Sequence, residues 1–310
     1  MIRFVRIALY IILSFVVVLL AAWWITDAAQ ESKTMDDEAR KSAPGQLVNL
    51  TDGVTHYVES GLPNGKPVVL IHGGGITGME VWDNTAPHLS TEGRRVLTYD
   101  LYGRGYSDRV KIDYTSDLMN RQLEELLGKV NFPDTFDIIC MSMGAMIAVE
   151  YAATHPAWVG KIVMLDPYAT GDYSSSRLLR LPVVSGMLMT FYWQPRAVEN
   201  QRKEFVNQPL FDSYAERLKY FMSFDGYKKM NYSTWMKMLQ NSKMDMFQRL
   251  PEGKVMLIYG ANDPYFSPAI LQLYNDKYPS LKSHVVEGAG HMPHVEQPGI
   301  VNPLISEFLQ

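Results

Sequence analysis

Ser142 stands at a bend where a nucleophile could be exposed. Residues 137–146 read Asp-Ile-Ile-Cys-Met-Ser-Met-Gly-Ala-Met, a short apolar run followed by small residues and a helical pattern. When a strand turns sharply into a helix, residues two before and two after the serine must be small, and the bend lifts the serine oxygen above the sheet. Gly144 fits G-x-S-x-G, but Cys140 replaces its first glycine. The stretch also fits a buried strand whose serine caps a helix.

Other residues of the types used in nucleophilic catalysis follow other apolar runs. Asp263 ends Gly-Ala-Asn-Asp, and His291 ends Gly-Ala-Gly-His. Residues 72–75 read His-Gly-Gly-Gly, and residues 100–108 contain two glycines between two aspartates. The candidate groups therefore sit at the ends of separate runs, in the order serine, aspartate, histidine.

The elements that position these groups are short β-branched runs with helix-like segments between them. Such runs predict a mostly parallel sheet covered on both faces, whose ligands bind beyond the carboxyl ends of the strands. All the candidate groups then meet at one edge of the sheet. Alternating residues around Thr-Asp-Gly at 51–53 predict an opening antiparallel hairpin. The six runs are residues 67–71, 95–99, 136–140, 161–165, 254–259 and 282–286.

With these motifs in this order, residues 47–310 resemble the α/β-hydrolase family. The resemblance implies that Ser142 is the nucleophile, His291 the base that takes and later returns its proton, and Asp263 the acid that orients the imidazole. It implies an oxyanion hole made by the backbone N–H groups of Gly74 and Met143. It implies no cofactor and no metal.

Some alternatives stay open at this stage. Asp166 ends the strand before the long gap, where some hydrolases carry the acid, and Gly73 is the alternative to Gly74. The remaining histidines are expected to be structural or surface residues, because nothing spaces them as metal ligands. The single cysteine, Cys140, excludes an intrachain disulfide and a cysteine metal cluster.

One interval between successive apolar runs is much longer than the others. After Asp166 the next apolar run begins at Lys254, and the segment between is rich in methionine and aromatic residues at helical spacings. We expect a hydrolase core at residues 46–172 and 250–310 and a mostly helical cap at 173–249. Most of these side chains should form the core of the cap, and a minority should line an apolar pocket. The candidates quoted are Met222, Tyr227, Met230, Trp235, Met238 and Met246.

Residues 1–26 form a candidate membrane anchor. Ile7 to Ile25 is apolar apart from Ser14, which is long enough to span, and two tryptophans close it. Arginines precede this run and acidic residues follow it, which predicts a cytoplasmic N-terminus and a catalytic domain on the outer, periplasmic or lumenal side. Residues 27–45 read as a polar tether. A cleaved signal peptide, giving a secreted or periplasmic protein, is the alternative.

Composition limits the partners. The chain has 310 residues, a net charge of -4 and a pI near 6.0. It has no basic patch of the kind that binds nucleic acid, so we expect a small-molecule substrate and a membrane as partners. The oligomeric state stays open.

The sequence favours a serine hydrolase that cleaves esters of apolar acyl groups through an acyl-enzyme, of the lipase or monoacylglycerol esterase kind. Two alternatives remain: a C–C bond hydrolase of the meta-cleavage type, and a non-catalytic binding protein on the same fold. Epoxide hydrolase and haloalkane dehalogenase chemistry are disfavoured, because in those resemblances an aspartate stands where this chain has Ser142.

Overall fold

The structure is a computed structural model that describes residues 2–174 and 177–310. Its centre is an eight-stranded sheet. The strands are β1 (Gln46–Asn49), β2 (Val54–Gly61), β3 (Pro67–Ile71), β4 (Arg95–Tyr99), β5 (Phe136–Met141), β6 (Val159–Leu165), β7 (Val255–Gly260) and β8 (Lys282–Val286). Their order across the sheet is β1-β2-β4-β3-β5-β6-β7-β8. β1 with β2 and β2 with β4 pair antiparallel, and all other neighbours pair parallel.

The apolar runs became the parallel strands because both faces of this part of the sheet are covered. In β3 the four residues from Val68 to Ile71 are fully buried, and β5 and β6 end in equally buried runs. The hairpin predicted at the start of the domain is β1 and β2, closed by a bond from the Leu50 N–H to the Gly53 carbonyl. The predicted fold class, a mostly parallel sheet flanked by helices, is confirmed.

The described residues contain twelve α-helices beside the sheet. Several begin with the expected caps; for example, the Thr115 hydroxyl accepts from the Leu118 N–H at the start of the fourth helix. The helices are α1 (Ile2–Gln30), α2 (Asp37–Arg40), α3 (Thr85–Thr91), α4 (Ser116–Lys129), α5 (Gly144–Thr154), α6 (Pro182–Leu188), α7 (Ala197–Arg202), α8 (Gln208–Met222), α9 (Tyr227–Ser233), α10 (Pro268–Lys277), α11 (Pro293–Glu296) and α12 (Pro298–Leu309).

Between β6 and β7, the described residues contain α6 to α9 with short 3-10 and π-helical turns. This is the segment in which we expected the cap. The division of the chain into a core and a cap stays a prediction, but the element order agrees with a helical insertion at that point.

The first helix, α1, has 29 residues, and its side chains are mostly exposed. It is the one helix in the described part of the chain that is long and apolar enough to cross a membrane, a property that signal sequences share. The tether expected at 27–45 is an ordered segment in the structure. Its polar groups contact the helices between β6 and β7, as in the bonds from Lys33 N–H to the Ser223 carbonyl and from Asp225 N–H to the Lys33 carbonyl.

Candidate active site

Ser142 lies at the sharp turn between β5 and α5. Its φ of +49° is a left-handed conformation that a side-chain-bearing residue adopts only when its surroundings impose it. Gly144 begins α5, and a Cβ atom there would lie 2.5 Å from the Ile71 carbonyl oxygen. Any larger residue would push the helix away from β3. The turn therefore has the geometry expected of a nucleophile elbow.

Cys140, which stands where the usual motif has glycine, is the next-to-last residue of β5. Its side chain is fully buried, and its thiol lies 3.6 Å from the Val163 carbonyl oxygen of β6. Burial raises the pKa of this thiol, so it stays neutral. The position accepts a small side chain directed at the neighbouring strand without disturbing the elbow.

Ser142, His291 and Asp263 form a hydrogen-bonded chain. The Ser142 Oγ lies 3.0 Å from His291 Nε2, and His291 Nδ1 lies 2.8 Å from Asp263 Oδ2. The other Asp263 oxygen accepts a 2.7 Å bond from the Tyr265 N–H. The structure thus brings together the three residues that the sequence placed at the ends of separate strands and loops.

The electrostatics of this chain favour a charged carboxylate beside the imidazole. Burial alone would raise the pKa of Asp263, but the hydrogen bond and charge of His291 outweigh it and hold that pKa below its usual value. Burial alone would lower the pKa of His291, but Asp263, with a contribution from Glu204, raises it above its usual value. The arrangement stabilises an imidazolium next to the serine.

Asp166, the alternative acid, lies directly after β6 and close to Asp263. It is 1% exposed, has a φ of +41°, and accepts a 3.0 Å bond from the Gly260 N–H. Its other oxygen has no hydrogen-bond partner among the described residues. Burial and the neighbouring Asp263 charge raise the pKa of Asp166 well above its usual range. The negative charge of the pair is therefore more stable on Asp263, and Asp166 is the member that holds a proton more readily.

Asp166, Asp263 and His291 also have ligand atoms within 4.8 Å of one another, close enough to hold a cation. Both ring nitrogens of His291 are already engaged, one with Ser142 and the other with Asp263. Metal binding through His291 would break one of these bonds. The arrangement fits a catalytic histidine better than a metal ligand.

The predicted oxyanion hole faces the same cavity as Ser142. Gly74 and Met143 both line that cavity, and a Cβ atom at Gly74 would meet nothing within 4 Å. Gly73, the alternative, lies directly beside the nucleophile, since a Cβ there would lie 3.0 Å from the Ser142 Cβ. His72 supports the turn: its Nδ1 lies 2.8 Å from the Gly73 carbonyl, and its Nε2 accepts from the Leu101 N–H at 2.9 Å.

His72 is structural, as expected, and burial lowers its pKa to about 4, which keeps the ring neutral. Asp100 has a larger structural role than the sequence suggested. Its carboxylate accepts from the Met79 and Tyr106 N–H groups at 2.7 and 2.8 Å and bonds to His56 Nδ1 at 2.7 Å. These bonds fix the loop that carries Arg104.

A cavity of about 700 Å³ opens above Ser142, within the usual size range of small-molecule sites. Tyr227 and Trp235, two of the aromatic residues quoted from the sequence, line it. Met222, Met230 and Met238 are instead buried in the hydrophobic core. The expected division into many core residues and few pocket residues is therefore what the structure has. The apolar wall is completed by Ile76, Met189, Trp193, Leu239, Phe266 and Ile270.

Arg104 lines this cavity without a counter-ion. It is 1% exposed and donates to the Tyr102 carbonyl and the Thr234 hydroxyl, both at 3.1 Å, and its Nη2 lies 3.7 Å from the Met143 sulfur. Its Nε has no partner, and no carboxylate pairs with it among the described residues. Burial lowers its pKa to about 10, so it remains a cation at neutral pH. Nothing in the sequence between Asp100 and Asp108 indicates this placement of Arg104.

Glu204 is a second residue that the sequence did not reveal. Its carbonyl oxygen accepts a 2.7 Å bond from the backbone N–H of His291, and its carboxyl group accepts from the Tyr265 hydroxyl at 3.2 Å. Glu296 strengthens the same junction, accepting from the N–H groups of Gly290 and Val206 at 2.6 and 2.7 Å. The helical segment after β6 thus holds the loop that carries the histidine.

The chain matches the alpha/beta hydrolase fold family over residues 66–298. It is 30% identical over 138 residues to a 2-hydroxy-6-oxo-6-(2'-aminophenyl)hexa-2,4-dienoic acid hydrolase from Metapseudomonas resinovorans, a match that covers 44% of this chain and 46% of that protein. It is 26% identical over 289 residues to a 2-hydroxy-6-oxononadienedioate/2-hydroxy-6-oxononatrienedioate hydrolase from Burkholderia vietnamiensis, covering 87% of this chain and 97% of that protein. The chain thus spans about half of the first relative and nearly all of the second.

Solved structures show the same fold. A meta-cleavage product hydrolase from Pseudomonas fluorescens superposes with a TM-score of 0.69 at 23% identity, covering 86% of this chain and 97% of that one. A thermophilic esterase from Thermogutta terrifontis superposes with a TM-score of 0.72 at 20% identity, covering 86% and 98%. Since the family match spans well over half of the sequence and the sheet, the elbow and the loop order agree with it, the chain is a hydrolase of the alpha/beta hydrolase fold family.

Proposed function

We propose that the protein is a serine hydrolase that cleaves carboxylic esters of apolar acyl groups through an acyl-enzyme intermediate. The observation that carries the proposal is the chain from Ser142 Oγ through His291 to Asp263, with bonds of 3.0 and 2.8 Å, at the floor of an apolar cavity. A serine held this way meets the geometric requirement for an activated nucleophile.

In the first half of the reaction, Ser142 Oγ attacks the ester carbonyl carbon while its proton passes to His291 Nε2. The carbonyl oxygen becomes an oxyanion, and the proposed donors that bind it are the N–H groups of Gly74 and Met143, two residues that line the cavity. The imidazolium, stabilised by Asp263, then gives its proton to the leaving alkoxide as the C–O bond breaks. An alcohol departs, and the acyl group remains on Ser142.

In the second half, water replaces the alcohol. His291 Nε2 takes a proton from water as its oxygen attacks the acyl carbon, and a second tetrahedral oxyanion forms. When this intermediate collapses, the proton returns from His291 to Ser142 Oγ, and the carboxylic acid leaves. The enzyme is unchanged after one turnover, and one ester and one water have become an acid and an alcohol.

The cavity wall supports an apolar acyl group. Met189, Trp193, Trp235 and Leu239 come from the segment after β6 and surround the space above Ser142. Burying each methylene of an acyl chain against such a wall contributes about 0.8 kcal/mol. A longer acyl chain should therefore raise kcat/KM until the cavity is full.

A fluorophosphonate probe, which reacts with activated serines, tests the proposal directly. Full-length protein should be labelled at Ser142 and should hydrolyse a series of p-nitrophenyl esters with a preference for acyl chains longer than acetyl. Ser174→Ala is a matched control, because Ser174 lines the same cavity without contacting His291 in the described structure. Absence of both labelling and hydrolysis would support the binding-protein alternative instead.

A C–C bond hydrolase is the second candidate, favoured by Arg104. A buried cation without a counter-ion in the cavity can be neutralised by an anionic substrate. The two curated relatives described above carry the names of hydrolases of dienoic and dienedioic acids, which are such substrates. Under this alternative the Arg104 guanidinium binds the substrate carboxylate while Ser142 and His291 act at the neighbouring ketone.

A 2-hydroxy-6-oxo-dienoate assay separates the two candidates. If the second is correct, the protein should turn over this substrate faster than any neutral ester, Arg104→Gln should raise KM for it by about tenfold or more, and Arg104→Lys should restore part of the loss. If neutral esters are preferred and both variants change KM for them little, Arg104 is a structural cation and the ester proposal stands.

We further propose that α1 anchors the protein in a membrane as a single span, with the N-terminus cytoplasmic and the hydrolase domain on the outer, periplasmic or lumenal side. Support comes from the length and apolar character of α1, the arginines before its apolar run and the acidic residues after it. N-terminal sequencing of the mature protein tests this: an intact N-terminus is expected, whereas a chain starting near Ala29 would mean a cleaved signal peptide.

A further inference from the structure

The C-terminal end of α1 is fastened to the segment that forms the cavity wall. Trp23 Nε1 donates to the Thr190 hydroxyl at 3.1 Å, and that hydroxyl donates to the Asp27 carboxylate at 2.7 Å. The Gln30 side chain donates to the Thr190 carbonyl at 3.0 Å. The Trp23 ring also packs so closely on Gly186 that a Cβ atom there would overlap it.

A second contact fixes the same helix end. Lys228, whose side chain is largely buried, pairs with Asp27 at 2.6 Å and with Glu31 at 3.6 Å. The Glu31 carboxylate accepts from the N–H groups of Gly226 and Lys228, both at 2.8 Å. Two polar junctions on different helices leave α1 little freedom to swing relative to the hydrolase domain.

The direction of this packing places particular side chains nearest the apolar part of α1. Trp23, within the apolar run, contacts both Gly186 and Thr190, whereas Asp27 and Gln30, which follow the run, contact Thr190. The two segments therefore run in the same direction, and residues before Gly186 lie farther toward the apolar run. At about 1.5 Å per helical residue, Val183 lies only about 5 Å beyond Gly186 along the helix.

Apolar side chains are exposed at this place. Leu181 and Val183 are 52% and 50% exposed, and Phe191 and Tyr192 after Thr190 are also exposed. The exposed Arg196 lies 4.3 Å over the Tyr192 ring, a pairing suited to the boundary between lipid tails and headgroups. We call Leu181 and Val183 the cap face; Phe191 and Tyr192, on the other side of Thr190, lie farther from the apolar run of α1. Met189 and Trp193, in the same stretch, line the cavity above Ser142.

We infer that the cap face lies on the lipid bilayer in which α1 is anchored, and that the ester substrate passes from that bilayer into the cavity. The cap face lies beside α1, whose own apolar side chains are exposed and need lipid around them, and the junctions at Trp23 and Lys228 hold the two segments against each other. The substrate part of this inference rests on the proposed ester hydrolase function and narrows it to esters that partition into a bilayer.

Site-directed spin labelling tests the position of the cap face. Cys140 is fully buried and leaves introduced cysteines as the reactive sites. Full-length Val183→Cys and Val285→Cys are a matched pair, since the two valines are 50% and 48% exposed and Val285 lies on β8. In phosphatidylcholine vesicles containing some phosphatidylglycerol, the label at 183 should be reached by oxygen and protected from a water-soluble nickel complex. Equal nickel access at both sites would overturn the inference.

A kinetic experiment tests the route of the substrate. Leu181→Ser/Val183→Ser should lower hydrolysis of a long-chain monoacyl ester carried in the vesicles by about fivefold or more, because two apolar side chains no longer enter the lipid. Hydrolysis of p-nitrophenyl butyrate from water should stay unchanged. The matched control Leu273→Ser/Val285→Ser, at positions 49% and 48% exposed, should alter neither.

The outcomes separate this inference from the proposed function. If butyrate is hydrolysed and the cap-face variant still processes the vesicle ester like the control, the bilayer route is wrong although the enzyme is a serine esterase. If neither ester is hydrolysed by the unaltered protein, the proposed function itself fails, and the spin labels alone decide where the cap face lies.

Discussion

The carboxyl groups of Asp166 and Asp263 lie side by side at the ends of the neighbouring strands β6 and β7, with their oxygens within 4.8 Å of each other and of His291. Two buried carboxylates this close do not both ionise. His291 stabilises the charge on Asp263, and the pKa of Asp166 rises. Asp263 is therefore the carboxylate that orients the imidazole, and Asp166 is the member of the pair that holds a proton more readily.

This pair predicts unequal effects of two matched substitutions. Asp263→Asn should lower kcat by about three to four orders of magnitude, as loss of the orienting acid does in other triads. Asp166→Asn should cost less than about tenfold, because an amide resembles a protonated carboxyl and can still accept from the Gly260 N–H. Ester turnover with matched folding controls by circular dichroism measures both. The opposite ranking would move the acid to Asp166.

The raised pKa of His291 predicts the pH dependence of activity. Only the neutral imidazole accepts the Ser142 proton, so kcat/KM should rise with pH through a midpoint above the ordinary histidine value of about 6.5. In Asp263→Asn the residual activity should rise at lower pH, because the group that raises the pKa of His291 is gone. A profile that is flat from pH 5 to 9 would show that His291 is not the base.

The same pair affects folding stability in a defined window. Because the pKa of His291 is raised on folding, this residue stabilises the folded state at pH values below its pKa in the unfolded chain. The contribution is lost as the pH rises through its pKa in the folded protein. Because the pKa of Asp263 is lowered on folding, this residue stabilises the folded state at pH values above its pKa in the unfolded chain. The contribution is lost as the pH falls through its pKa in the folded protein. Between about pH 4 and 6.5 both contribute. Thermal midpoints of Ser142→Ala and of its Asp263→Asn double variant should differ most there, and the difference should narrow above the folded pKa of His291, where only the contribution of Asp263 remains.

Activity and stability should depend on the size of the side chain at position 140 in the elbow. Cys140→Gly and Cys140→Ala should keep most activity, since the thiol makes one weak contact with the Val163 carbonyl. Cys140→Leu adds volume at a fully buried position and should cost about 1 to 3 kcal/mol of stability while displacing Ser142. Turnover and thermal midpoint of the three variants measure this. Full activity of the leucine variant would mean that the elbow does not constrain Ser142.

The strands, the elbow and the triad residues could be predicted because each depends on local sequence: an apolar run, a small residue at a fixed spacing, a glycine before a histidine. Contacts between distant segments could not. Nothing near Lys228 indicates that it pairs with Asp27, a residue 201 positions away, and it reads as an ordinary exposed lysine. Glu204 reaches His291 through its backbone carbonyl, an interaction that its residue type does not encode.

The surroundings of Arg104 likewise depend on residues that are distant in the sequence. The glycines at 103 and 105 identify a tight loop, and Gly105 is constrained because a Cβ there would overlap the Asp100 carboxylate. Arg104, between them, lines the cavity, has no counter-ion among the described residues and donates to the Thr234 hydroxyl, which lies 130 residues away. A contact over that separation cannot be read from the local sequence.

Activation of Ser142 by His291 can be measured by intact-protein mass spectrometry after fluorophosphonate treatment. We expect one adduct per chain, located on the peptide that contains Ser142, present in Ser174→Ala and absent in Ser142→Ala, with slower labelling in His291→Gln. An adduct that persists on another serine in Ser142→Ala, or an unlabelled but folded wild-type protein, would contradict it.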